Sequence, residues 1–341
     1  MNGNHLKPDW KRQRDFMVDT GIPLVLVQMG KMPNYLVANL RYISETFTKT
    51  TKYLITDNDN TDSFAEMGFQ VVKTEELDLV WPANFEIHDQ RRHFRKNFWF
   101  STKARLIILP LFMRKKSLRK VLHIESDVWI HPQFPFEYFF EIKEPLAFPR
   151  VDLERGVASV LFINGEPGIQ TLLDACESWP ELTDMQILGK ILEDSRKVHQ
   201  LDSYEFDLKS SRHWIFDGAK LGMYLFGSDP RNNWGIIKRF DNSPMGSLSK
   251  GDQLIQIGEK LFVKGAKSRK QVVSLHIHSK DLRVFSNNWR KILELQLEKE
   301  GKNKSIGFSS QSFVFHLTEI IAIAIRKALR ILRLQNLLNS L

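Results

Sequence analysis

The chain has 341 residues, 42 % hydrophobic and 26 % charged, which suffices for a full α/β core and excludes a disordered or collagen-like chain. Its one cysteine, Cys176, excludes an intrachain disulfide and predicts a reducing, cytoplasmic setting. The net charge of +9 favours anionic partners such as nucleotide phosphates, anionic lipid or nucleic acid, without choosing among them.

The opening stretch, Met1 to Phe16, is hydrophilic and has no apolar core of the kind a secretory signal carries. No apolar run approaches the roughly 20 residues that span a bilayer. The first apolar block, Ile22 to Gln28, predicts a buried parallel strand. A helix is expected around Tyr35 to Phe47, then a strand over Lys52–Asp57 that ends in a carboxylate. Asp59, Asn60 and Asp62 form a polar turn and helix cap. Another short strand covers Phe69 to Lys73, so the order predicts a βαβ unit with right-handed crossovers.

Residues 75 to 97 are less regular and carry Arg91, Arg92, Arg95 and Lys96, either a phosphate-binding group or a solvated charged face. Phe98 to Met113 reads as a helix and Lys120 to Ile130 as one strong strand. Strands follow at Pro145–Val151 and Val157–Ile163, and helices at Gly168–Trp179 and Asp184–Glu193. A short helix is expected around Asp217 to Phe226, with strands at Leu254–Val263 and Val272–His278. One catalytic domain thus spans residues 18–295. Residues 296–312 read as a linker, polar and Gly/Ser-containing from Lys302 onward. Residues 313–341 read as a C-terminal amphipathic helix, apolar on one side, with Arg326, Lys327, Arg330 and Arg333 on the other. That composition suits an anionic membrane surface; a helix packed on the domain or on a second subunit remains open.

The sharpest local feature is Glu125-Ser126-Asp127, at the end of an apolar strand and followed by Val128-Trp129-Ile130. Pyrophosphate is bound mainly through a hard divalent cation, and acidic residues two apart in a strand-end loop can both approach one ion. Late in the chain, Leu275-His276-Ile277-His278-Ser279-Lys280-Asp281 places two histidines on one face of a strand at period two. Imidazole joins carboxylates around Mn²⁺-type ions, and Lys280 offers a fixed cation to a departing diphosphate.

In this order the motifs resemble the GT-A fold glycosyltransferases, particularly bacterial polysaccharide and lipopolysaccharide transferases with a DxD-type motif. Glu125-Ser126-Asp127 stands at the DxD position, with Glu in the first place. Phe98 to Leu106 is similar to the family's preceding helix, whose basic residues, here Lys103 and Arg105, face the donor. Thr183-Asp184-Met185-Gln186 is similar to its acidic segment near the acceptor. The resemblance covers roughly residues 20 to 290. It implies a mixed, mainly parallel sheet with helices on both faces. It also implies a nucleotide-sugar donor and a saccharide or glycolipid acceptor. Mn²⁺ or Mg²⁺ would be held by Glu125 and Asp127 with His276 or His278, and Ser126 would lie against the donor.

Other candidates follow from what such a site must do. The first strand ends at Gln28-Met29-Gly30, and open α/β sheets bind ligands at the carboxyl ends of their strands. Gly30 is either a close approach to the nucleoside or a turn glycine, and Asp57 either a base or ribose contact or a helix cap. Asp184 is an N-cap or a carboxylate facing the acceptor as base. Asp217 lies in a polar, turn-rich stretch assigned to the donor, with Trp214 and Trp234 as stacking candidates. No zinc-ligand spacing, helix-turn-helix pattern or RNA-binding signature is present, so no nucleic-acid partner is expected. No Gly-x-x-x-x-Gly-Lys loop is present, which weakens ATP-dependent phosphotransfer.

Overall fold

A computed structural model describes residues 21–83, 85, 98–204, 213–227, 248–249, 251–265, 269–279 and 281–305. The C-terminal segment 313–341, Lys280, Trp234 and the basic group at 91–96 lie outside these residues.

Two sheets organise the chain. The larger is built from β1 (Leu24–Gln28), β2 (Lys52–Thr56), β3 (Phe69–Lys73), β4 (Lys120–Ile124), β6 (Leu146–Pro149), β7 (Val160–Asn164) and β8 (Val198–Leu201), ordered β3-β2-β1-β4-β7-β6-β8. Strands β3, β2, β1 and β4 run parallel, as do β6 and β8, whereas β7 is antiparallel to both neighbours. The sheet is therefore mixed and mainly parallel, as expected. The smaller sheet orders β10 (Gln253–Ile257), β11 (Lys260–Lys264), β12 (Arg269–His276) and β5 (Val128–Ile130), with β9 (Trp214–Phe216) paired to β12.

Alternation along the strands splits the large sheet's side chains between two cores. Leu24 and Leu26 of β1 join Leu54, Leu122, Ile124 and Phe162 in one core. Leu36, Leu40 and Ile43 of helix α1 (Asn34–Thr46) cover them there. On the opposite face Val25, Ile55, Val121 and Leu161 meet Ala104, Ile108 and Phe112 of α3 (Phe98–Lys115). Leu172 of α5 (Gly165–Ser178) and Leu188 of α6 (Asp184–Ile191) complete that second core. Helices thus lie on both faces. Short helices α2 (Asp62–Glu66), α4 (Tyr138–Glu141) and α7 (Lys220–Phe226) and the terminal α8 (Trp289–Ser305) complete the order. Helix α8 carries helical backbone to Ser305, into the stretch read as a linker. Among the described residues, no helix is long and apolar enough to cross a membrane.

The structure departs from the sequence reading at two informative places. Lys120 to Ile130 is not one strand: it breaks at Glu125-Ser126-Asp127, where the Val128 N–H donates to the Glu125 carbonyl at 3.1 Å and closes a tight turn. Strand β4 then belongs to the large sheet and β5 to the small one. Leu254 to Val263 is likewise a hairpin, β10 and β11, reversing at Gly258, whose φ of +58° suits glycine. Strand β8, strand β9 and helix α4 carry no strong sequence period and were not expected.

Candidate metal centre

The turn at 125–127 is where the two sheets meet, and it is pinned from three sides. Asn39 of α1 donates through Nδ2 to the carbonyls of Ser126 (3.1 Å) and Val128 (3.0 Å). The Glu125 N–H donates to the Ser159 carbonyl at 3.2 Å, and the Ile277 N–H to the Asp127 carbonyl at 2.8 Å. These contacts fix the backbone on which Glu125 and Asp127 stand.

His276, the last residue of β12, meets them there. Its Nε2 lies 3.4 Å from Glu125 Oε2 and 3.3 Å from Asp127 Oδ2. One ligand atom from each of Glu125, Asp127 and His276 falls within 4.8 Å of the others, and all three residues are buried. The other ring nitrogen, Nδ1, sits 2.7 Å from the Gly218 carbonyl. A carbonyl only accepts, so Nδ1 carries the proton, and in the neutral ring the Nε2 lone pair faces the two carboxylates. A lone pair opposed to carboxylate oxygens calls for a cation or a proton between them. A backbone carbonyl holding the second ring nitrogen is the usual support of a metal-ligating histidine.

Behind this group, Arg105 of α3 spans two carboxylates. Its Nη1 pairs with Glu125 Oε1 and its Nη2 lies 2.5 Å from Asp184 Oδ2, all three side chains being nearly buried. Burial pulls the guanidinium pKa down, but the charges of Glu125 and Asp184 more than offset this and raise it. In their ionised forms, three carboxylates and one guanidinium leave two negative charges, the complement of one divalent cation. Two carboxylates and one imidazole also suit Mn²⁺ or Mg²⁺ as a donor set.

Of the histidine pair, the ligand group contains His276. His278 is not on the strand: β12 ends at His276, and the His278 N–H turns back onto the His276 carbonyl at 3.1 Å. The two rings nevertheless lie 4.2 Å apart, centre to centre.

Asp217, expected among the donor contacts, is instead fully buried. Its oxygens accept from the N–H groups of Leu221 (2.9 Å), Gly222 (2.7 Å) and His276 (3.1 Å). It caps the start of α7 and fixes the backbone of His276. Burial raises its pKa above the ordinary carboxylate value. Lys103 is also turned inward, donating to the carbonyls of Phe85 (2.9 Å) and Pro180 (2.5 Å) and lying over the Phe85 ring.

Gly30 and Asp57, read separately, form one contact. The Gly30 N–H donates to Asp57 Oδ1 at 2.7 Å, linking the carboxyl ends of β1 and β2. Gly30 has φ +71° with open space where a side chain would point. The Gln28 amide donates to the carbonyls of Met29 (2.9 Å) and Lys31 (3.2 Å) beside it. Asp184 is the first residue of α6, not its cap: Thr183 caps it, in a reciprocal pair with Gln186. Half-buried Trp214 packs on Tyr138, with ring centres 5.1 Å apart.

Asn39, Gly218 and Gly222 escaped the sequence reading. Asn39 alone left a signal, a polar residue on the helix face otherwise built from Leu36, Leu40 and Ile43.

No family model matches the sequence and no curated protein matches it. Among solved structures, the chain is similar to the galactosyltransferase LgtC in complex with donor and acceptor sugar analogs, at 15 % identity over 54 % of this chain and 74 % of that one, with a TM-score of 0.39. It is similar to the glycosyltransferase GlyE of Streptococcus pneumoniae TIGR4, at 18 % identity over 53 % of this chain and 45 % of that one, with a TM-score of 0.36. The mannosyltransferase Ktr4p of S. cerevisiae is similar at 7 % identity, over 50 % of this chain and 65 % of that one, with a TM-score of 0.34. These similar structures are glycosyltransferases.

Proposed function

We propose that the chain is a metal-dependent glycosyltransferase of the GT-A type, moving a sugar from a nucleotide-sugar donor to a saccharide or glycolipid acceptor in cell-surface polysaccharide synthesis. The observation that carries this reading is the buried group of Glu125, Asp127 and His276 at the carboxyl end of β4, with its ligand atoms within 4.8 Å of one another. Ligands of open α/β sheets bind at that edge. The order of sequence motifs that resembles the GT-A transferases, which includes these residues, also supports it.

In this reading Glu125, Asp127 and His276 would hold Mn²⁺ or Mg²⁺. When bound, the ion neutralises the diphosphate as the leaving group gains charge. The Gly30–Asp57 pair, at the ends of β1 and β2, holds the rim where the nucleoside lies. Lys280 would stabilise the departing diphosphate, and Asp184, nearly buried and paired with Arg105, would act through that arginine rather than on the acceptor. The deciding experiment is a panel of nucleotide sugars assayed for donor hydrolysis with Mn²⁺, with Mg²⁺ and with excess EDTA. Hydrolysis of one donor that disappears with chelator is expected. Full turnover in EDTA, or turnover of nucleoside triphosphates alone, overturns the reading.

The same reading places the enzyme in the cytoplasm, against the inner face of the membrane through residues 313–341. The apolar and basic pattern of that segment supports it. Deleting residues 313–341 should abolish sedimentation with phosphatidylserine vesicles and leave soluble donor turnover intact; a truncated protein that still sediments removes this part.

A further inference from the structure

Arg105, Glu125 and Asp184 come from three separate elements: α3, the β4–β5 turn and the first residue of α6. Their side chains are 11 %, 9 % and 4 % exposed. One guanidinium edge nitrogen takes Glu125 Oε1 and the other takes Asp184 Oδ2. Glu125 Oε2 is left facing His276 Nε2 at 3.4 Å. The guanidinium therefore selects which oxygen of Glu125 enters the ligand group, and Asp184 fixes the guanidinium.

Resting on the metal reading above, we infer that Arg105 is a positioning residue for the cation: its two-pronged grip, anchored by Asp184, turns Glu125 so that one oxygen points at the ion. A planar fork reaches two carboxylates in fixed directions, which the single nitrogen of lysine does not. The grip also differs from charge balance. As a mere positive charge beside the site, Arg105 repels a divalent ion, and its removal would tighten binding. As a positioning residue, its removal weakens binding.

The test is Mn²⁺ binding to the donor-free protein, read by electron paramagnetic resonance at a temperature where circular dichroism shows every variant folded. R105K keeps the charge and loses the fork; its Kd for Mn²⁺ should rise about tenfold or more, the scale of lost support behind a metal ligand. R105M should bind at least as weakly as R105K. A Kd for R105K within twofold of the wild type, or R105M binding more tightly than the wild type, overturns the inference while leaving the metal site standing. A wild-type protein that takes up no Mn²⁺ overturns the metal reading and this inference with it. Should R105K fail to fold, D184E replaces it: both charges are kept and the anchor moves by one methylene. The same rise in Kd is expected, and an unchanged Kd overturns the inference.

Discussion

Gly222 of α7 lies flat against His276: a Cβ at position 222 would stand 2.0 Å from the His276 carbonyl oxygen and 2.7 Å from its carbonyl carbon. Both obstacles are backbone, and the Asp217 carboxylate at 3.2 Å closes the third side. G222A must therefore push α7 away from the end of β12, where overpacking typically costs about 1–3 kcal/mol and sometimes more. Urea denaturation should show a loss near the top of that range. Mn²⁺ binding at a temperature where the variant is folded should weaken too, because Asp217 and Gly218 both hold His276. A G222A protein as stable as the wild type would show that α7 does not close against the His276 backbone.

The ligand assignment makes a sharper comparison. D127N, E125Q and H276Q each remove one donor from the buried group, and each should lower Mn²⁺ affinity at least tenfold in isothermal titration. His278 lies beside His276 without belonging to that group. H278Q should stay within a few-fold of the wild type. If H278Q abolishes binding and H276Q does not, the two histidines have been assigned the wrong way round.

How much of this site the sequence discloses depends on whether its parts are local. Glu125 and Asp127 are two residues apart at the end of an apolar run, and an acidic pair interrupting such a run is visible without coordinates. The break it imposes is not, because the flanking residues Val121 to Ile124 and Val128 to Ile130 all have strand character and nothing between them is Gly or Pro. Only the meeting of two sheets makes the turn necessary. The choice of His276 over His278 rests on where β12 ends, and the Gly218 carbonyl decides it. The Arg105–Asp184 contact joins residues 79 apart in sequence, so no spacing rule finds it. The large sheet apart from β8 was legible because its other strands are short, largely apolar runs, the first three in βαβ order, whereas β8, Val198–Leu201, holds two polar residues at its centre. Among the described residues, strand β9, three residues long, pairs with β12 alone.

Asp202 and Lys270 form a second buried ion pair, with Lys270 Nζ 2.9 Å from Asp202 Oδ2 and the two side chains 4 % and 3 % exposed. It ties the segment after β8 to β12, the strand that carries His276. Removing one partner leaves a buried charge without its counter-ion, which costs about 3–5 kcal/mol. K270M should lose stability on that scale in urea denaturation. The double variant K270M/D202L should recover much of the loss, since an apolar pair of similar volume often matches a buried ion pair. A K270M protein within about 0.5 kcal/mol of the wild type, at the level of an ordinary surface change, would show that the pair does not hold the segment after β8 against β12.

His131, just after β5, supplies a pH dependence with a definite sign. Its Nε2 lies 2.7 Å from the Glu259 carbonyl and its Nδ1 accepts the Gln133 N–H at 2.9 Å. Nε2 therefore donates, Nδ1 accepts, and the ring is neutral, packed between Trp129 and Trp289. Burial pushes its pKa down to about 4; the Glu259 carbonyl and carboxylate oppose the shift, and Lys260 and Arg290 add to it. An unfolded histidine titrates near 6.5. Above that pH, neither state binds the proton and the contribution of His131 is complete. As pH falls from about 6.5 to about 4, the unfolded chain takes up a proton that the folded one refuses. Stability then falls by about 1.4 kcal/mol per pH unit from this residue, and below about 4 its share is flat. His123 is held neutral by burial in the same way and contributes equally to wild type and variant. Urea denaturation of wild type and H131N at pH 7 and pH 5 isolates the residue. The wild type should lose about 2 kcal/mol more than H131N between the two values, and equal losses would show that His131 is as free to take a proton in the fold as out of it.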